Sequence, residues 1–158
     1  MKKVITPEEA KQKILRYCAY QERSHQEVKN KLYSFGLFSS DVNEIISFLI
    51  TEGFLNEERF ARTFAGGKFR MKSWGRLKIV RELEARGLTR NCIKLGLKEI
   101  DEQDYHSTLI RLLQKKGDQT LERDLFVKRD KIARYTIQKG FEPELVWKAI
   151  KQLFPDNQ

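Results

Sequence analysis

The chain has 158 residues, 40% hydrophobic and 34% charged, with a net charge of +9: enough apolar side chains for a substantial core, and a cationic surface suited to an anionic partner. No run reaches the roughly 18 apolar residues of a membrane span, and the start, Met1-Lys2-Lys3-Val4-Ile5, reads as the approach to a helix with no secretory signal, so residence in the cytoplasm is expected. Cys18, Cys92, His25 and His106 have no ligand spacing, which argues against a disulfide framework, a zinc site or any metal cofactor and assigns the cysteines to core packing.

Thr6-Pro7-Glu8-Glu9 combines a cap residue, proline at the first helical position and glutamate in the first turn, and predicts a helix through Ala10, Ile14, Leu15 and Cys18. Ser24-His25-Gln26-Glu27 is a second capping box, opening a helix with Val28 and Leu32 on one face. Gly36 then suits the left-handed position after a helix. A third helix carries Val42 to Leu49 and stops near Gly53. Asn56 caps a fourth helix that displays Phe60 and Phe64. Gly66, Gly67 and Gly75 weaken helix propensity, so 68–75 reads as a frayed end or a loop. Helices follow from Arg76 to Arg86 and from Thr89. The next begins near Asp101, turns Tyr105, Leu109, Leu112 and Leu113 inward and ends at Gly117, and another spans Leu121 to Lys139. Glu142-Pro143 opens the last helix, which Phe154-Pro155 stops. No segment alternates with period two, so no strand is expected.

Gly36, Gly87 and Gly140 organise this series. The residue after each is Leu37, Leu88 or Phe141, and equal offsets beyond them carry Val42/Ile45/Ile46/Leu49, Ile93/Gly96/Leu97/Ile100 and Val146/Ala149/Ile150/Leu153. Upstream, Val28, Ile79 and Ile132 share one phase, and Leu32, Leu83 and Thr136 another; only Gly96 and Thr136 depart from the apolar pattern. An internal repeat of about fifty residues is a supersecondary unit that buries its apolar face by stacking on its neighbours. The expected fold is therefore all-α: three tandem three-helix repeats, 1–53, 54–100 and 101–158, stacked into an elongated, curved array.

Charge separates the copies. Residues 1–53 carry 8 cations and 7 acids, 54–100 carry 12 and 5, and 101–158 carry 11 and 10. Between positions 68 and 81 stand Lys68, Arg70, Lys72, Arg76, Lys78 and Arg81 with no acid, and with Phe69 and Trp74 among them. Cations interleaved with aromatic faces suit single-stranded nucleic acid, although Trp74 equally suits an anchor packed on its own repeat. On the second helix of the middle repeat, Ile79, Val80 and Leu83 face the core while Lys78 and Arg81 point away. Arg129, Lys131 and Arg134 repeat the phase of Arg76, Lys78 and Arg81, so the two repeats together could present a cationic ladder; the other reading is a solvated face shared with Glu82, Glu84 and Asp130. No phosphate loop, HExxH or Gly-x-Ser-x-Gly occurs, and Glu57-Glu58 fits the favourable charge of a helix first turn. A binding protein is expected, with no catalytic residue. One alternative is a helix-turn-helix-like DNA-binding protein, because three-helix units with basic helices also read duplex.

Glu22-Arg23-Ser24-His25-Gln26-Glu27-Val28 with Lys31-Leu32 and Gly36, then Phe54-Leu55-Asn56-Glu57-Glu58-Arg59-Phe60-Ala61, then Gly75-Arg76 with Ile79, Glu82-Leu83 and Arg86-Gly87-Leu88, resemble in order the motifs of the RecX family of recombinase regulators. Gly140-Phe141 with Val146 and Ile150 is similar to that family's C-terminal pattern. Asn56 stands where an acid is usual, and His25-Gln26 replaces a more basic or small pair. The resemblance implies three tandem three-helix repeats and a monomeric, non-enzymatic partner of the RecA recombinase. Such a protein lodges in the groove of the recombinase filament on single-stranded DNA and suppresses strand exchange and ATP hydrolysis, with weak contact to single- or double-stranded DNA.

Overall fold

The computed structural model describes residues 5–156; the stretch Met1 to Val4, read above as carrying no secretory signal, lies outside them. The described residues form nine α-helices and no strand: α1 (Pro7–Tyr20), α2 (His25–Ser34), α3 (Ser39–Thr51), α4 (Glu57–Lys72), α5 (Arg76–Ala85), α6 (Arg90–Leu97), α7 (Glu102–Gln119), α8 (Leu125–Gln138) and α9 (Pro143–Leu153). None of them is long and apolar enough to cross a membrane.

Local chemistry sets the helix starts. The side chains of Thr6, Ser24, Asn56, Thr89, Asp101 and Asp124 each accept the backbone N–H three residues on, at 2.9–3.2 Å, which satisfies one of the donors that every helix start leaves free. Gly36, Gly87 and Gly140 have φ of 86°, 78° and 104°, the left-handed geometry that closes a helix. Just past the last two, Leu88 N–H donates to Leu83 C=O and Phe141 N–H to Thr136 C=O.

The apolar phase is the core. Val28, Ile79 and Ile132 are fully buried, as are Leu32, Leu83 and Thr136, and the residue after each glycine lies inside. The two departures have physical reasons. A side chain at Gly96 would put its Cβ 2.8 Å from Ala61, so α6 approaches α4 at a distance only glycine permits. Thr136 returns its hydroxyl to Ile132 C=O at 2.9 Å, which satisfies its one polar group in an apolar setting.

Three helix boundaries differ from the sequence reading. α4 continues through Gly66 and Gly67 to Lys72, so 68–72 is helix; two glycines cost roughly 1 kcal/mol each, while burial of Phe69 against Tyr105, ring centroids 5.8 Å apart, holds the last turns in place. α7 runs past Gly117 to Gln119, because Gly117 is a packing residue: the Phe154 ring occupies the space its side chain would need. α8 begins at Leu125, since Asp124 supplies the cap, and 120–124 is a connector. Cys18 is buried, and burial pushes its thiol pKa up; Cys92 is half-buried.

Packing divides the chain into two compact units, one from the chain up to Thr63 with Leu83–Gly96, the other from Phe64–Glu82 with the chain from Leu97 onward. In the first, α1, α2 and α3 pack mutually around Ile14, Val28, Leu32, Val42 and Leu49. In the second, α7, α8 and α9 pack mutually, and Phe69, Tyr105 and Phe141 stack in series at 5.8 and 5.0 Å. The sequence repeat 54–100 contributes helices to both units.

Candidate partner-binding surface

All ten residues singled out from the sequence lie in the second unit, and the fold gives them different tasks. Trp74 is half-buried in the turn between α4 and α5, edge-on to Phe64 at 6.2 Å. The ammonium of Lys68 stands over its ring at 5.1 Å and that of Lys78 at 4.5 Å. Each contact contributes about 0.5–1 kcal/mol at such exposure. Arg70, Lys72 and Arg81 are exposed; Arg81 Nε reaches back to Leu77 C=O at 3.3 Å. Lys68, Lys72, Lys78 and Arg81 form no ion pair among the described residues; Lys72 and Arg81 are exposed, and Lys68 and Lys78 are half-buried.

Arg76 points the other way. Its Nη1 donates to Glu142 at 2.9 Å, its Nη2 to Glu102 at 2.6 Å, and the guanidinium lies 3.9 Å above the Tyr105 ring. Arg76 backbone N–H donates to the Tyr105 hydroxyl at 3.0 Å, and that hydroxyl donates to Glu142, closing a ring of hydrogen bonds. Burial pulls against the Arg76 charge, yet the Glu102 and Glu142 carboxylates outweigh it and hold its pKa above the ordinary value. Burial, and then the Glu142 hydrogen bond, push the Tyr105 phenol well above the usual tyrosine range.

The turn is also fixed by backbone. Gly75 N–H donates to Lys139 C=O at 2.8 Å and Leu77 N–H to Gly140 C=O at 2.9 Å. A Cβ on Gly75 would fall 2.3 Å from Gly140 C, and one on Gly140 would fall 2.4 Å from Lys78 Cβ. Two glycines therefore let the α4–α5 turn lie directly on the α8–α9 turn.

The third-repeat half of the ladder is engaged inside its own unit. Arg129 holds Phe154 C=O, through Nε at 2.8 Å and through Nη2, and Asp156 at 3.0 Å. Lys131 pairs with Glu122, and Arg134 with Asp130 at 2.9 Å. The phase of Arg76 and Arg129 thus marks a recurring latch from the second helix of a repeat to the segment after its third. His25, at the same phase in the first repeat, meets Glu57 in that manner at 3.3 Å.

Sequence reading missed Tyr135, Lys116 and Lys139. Tyr135 lies exposed on α8, with the Lys116 ammonium 4.5 Å and the Lys139 ammonium 5.9 Å from its ring centroid. Nothing in the sequence brings Lys116 near Tyr135, since they belong to separate helices. The cue that existed was Lys139 beside the phased Gly140.

Two family models match the chain in order: RecX, first three-helix domain, over residues 10–49, and RecX, second three-helix domain, over 56–97, together just over half of its length. The chain is 25% identical over 158 residues to the regulatory protein RecX of Clostridium perfringens (strain 13 / Type A), covering 97% of this chain and 74% of that one. It is 26% identical over 139 residues to the regulatory protein RecX of Prosthecochloris aestuarii (strain DSM 271 / SK 413), covering 87% and 88%. The crystal structure of RecX from Lactobacillus salivarius has the same fold, with a TM-score of 0.83 at 22% identity over 93% of this chain and 96% of that one. Matched over two consecutive three-helix domains, the chain belongs to the RecX family of regulatory proteins.

Proposed function

We propose that this protein binds the RecA recombinase filament on single-stranded DNA, in its groove, and lowers its strand exchange and ATP hydrolysis, acting as a cytoplasmic monomer without catalysis of its own. The supporting observation is the ordered pair of family domains combined with a cationic surface on Lys68, Arg70, Lys72, Lys78 and Arg81 around Trp74, of which Lys68, Lys72, Lys78 and Arg81 form no ion pair among the described residues. Arg76, Arg129, Lys131 and Arg134 have carboxylate or carbonyl partners of their own and contribute less to the contact. The reading takes the three tandem three-helix repeats, 1–53, 54–100 and 101–158, as the modules that make the contact.

The test is RecA-dependent ATP hydrolysis on single-stranded DNA with substoichiometric protein added. A dose-dependent fall supports the proposal, and an unchanged rate and filament length at every dose sinks it. Charge reversal of Lys78 and Arg81 together should weaken the effect more than reversal of Lys11 and Lys13. Equal effects would mean that charge acts diffusely. Tight, sequence-dependent duplex binding would point instead to a helix-turn-helix-like DNA-binding protein.

A further inference from the structure

We propose that the first unit carries an interaction surface of the opposite charge, a groove between α1 and α3 that takes an arginine-bearing peptide segment of a partner protein. The groove has an open volume of about 400 Å³, a floor of Pro7, Ile45 and Phe48, and a rim of Glu8, Asp41 and Glu44. In a chain of net charge +9 this is a local reversal: residues 38–53 hold Asp41, Glu44 and Glu52 and no lysine or arginine. None of the three rim carboxylates forms an ion pair among the described residues.

Two observations select the occupant. The floor already seats a cation: the Lys11 ammonium stands 3.6 Å from the Phe48 ring centroid, so the free chain covers the ring with a group of its own. A guanidinium suits this setting better than an ammonium, because it stacks flat on an aromatic face and forks to carboxylates, which the rim supplies. The second observation is Phe38, the N-cap of α3, which makes no side-chain cap and is 81% exposed. The equivalent residues, two after the other phased glycines, are engaged: Thr89 caps α6, and Glu142 holds Arg76 and Tyr105. A phenylalanine here forgoes the cap that serine would supply and leaves a ring in water, a loss of stability that contact with a partner explains. Phe38 shares the helical phase of Asp41, Ile45 and Phe48, so its ring continues the groove's face along α3. The two phenylalanines are separated by about 15 Å of helix rise, which four or five residues of an extended peptide cover.

The probe is a fluorescein-labelled hexa-arginine peptide, followed by anisotropy with the full chain and no recombinase. A protein of net charge +9 repels a polycation as a whole, so binding reports a local acidic site. Expected is saturable binding that D41N/E44Q weakens about 2- to 30-fold, for two exposed ion pairs lost. K11Q uncovers the Phe48 ring and should tighten binding about 2- to 5-fold. F38S supplies the missing cap, so it should raise the urea midpoint of unfolding while weakening binding about 2- to 5-fold. A gain in stability joined to a loss of affinity separates a binding residue from a structural one. Absence of saturable binding, parental affinity in D41N/E44Q, K11Q or F38S, or equal affinity for hexaglutamate would each overturn the proposal. So would a sedimentation dimer of the free chain that D41N/E44Q abolishes, since the groove would then hold a second copy. Failure of peptide binding with the ATP hydrolysis effect intact would leave the regulator reading standing, and the converse result would leave the groove.

Discussion

Replacing Gly75 with alanine tests whether the two stacked turns organise the second unit. Gly75 does not have the positive φ that disfavours alanine, so the whole effect is one of space. The new Cβ would meet Gly140 C and Phe141 N at 2.3 Å, where carbon atoms need about 3.5 Å. Both obstacles are backbone and cannot rotate away. Relief requires the turns to part by about 1 Å, which breaks Gly75 N–H to Lys139 C=O and Leu77 N–H to Gly140 C=O. Two hydrogen bonds at about 1 kcal/mol each and overpacking of 1–3 kcal/mol give a loss of about 3–5 kcal/mol. For a chain of this length that lowers Tm by about 6–20 °C. Thermal melts followed by circular dichroism read the loss, and Trp74 emission in W147F protein reads the displaced turn. A G75A melt within about 2 °C of the parent would refute the geometry.

Gly67→Ala is the opposite case: it lies inside α4 with nothing within 4 Å of the new Cβ, so urea unfolding should show a gain of about 0.5–1 kcal/mol. Tyr105→Phe keeps the ring stack with Phe69 and Phe141 but strips Arg76 N–H and Glu142 of their shared partner, for an expected loss of about 1–3 kcal/mol in the same assay. The Tyr105 phenol titrates higher in the folded state than the value near 10 of an unfolded tyrosine. Its contribution is therefore complete below pH 10 and is lost as pH rises above it, by up to about 1.4 kcal/mol per pH unit. Y105F should flatten that alkaline decline in denaturant midpoints. In folded protein, iodoacetamide should modify Cys92 well before Cys18, whose buried thiol has a raised pKa; mass spectrometry of timed samples showing the reverse order would contradict the packing of α1.

Much of the scaffold is written locally. A helix start needs one side chain three residues before the N–H it accepts, and a helix stop of this kind needs one glycine that tolerates positive φ, so Thr6, Ser24, Asn56, Asp101, Gly36, Gly87 and Gly140 were readable as they stand. The same holds for the buried phase of Val28, Ile79 and Ile132, a matter of helical period alone. Propensity failed where distant packing overrode it. Gly66, Gly67 and Gly117 look like breakers, yet they lie within helices held by Phe69 on Tyr105 and by Phe154 over Gly117.

The candidate surface divides along the same line. Sequence alone determined that the chain is a series of capped, Gly-phased helices with its excess cation between Lys68 and Arg81, because caps, periodicity and net charge are sums over near neighbours. Only the tertiary structure decided which cations face outward. Arg76 and Lys78 are two residues apart and equally charged, but Glu102, Tyr105 and Glu142 arrive from α7 and the α8–α9 turn to enclose the first, and Trp74 carries the second. The partners that enclose Arg76 come from positions 26 to 66 residues away, and that distance is closed only when the helices pack.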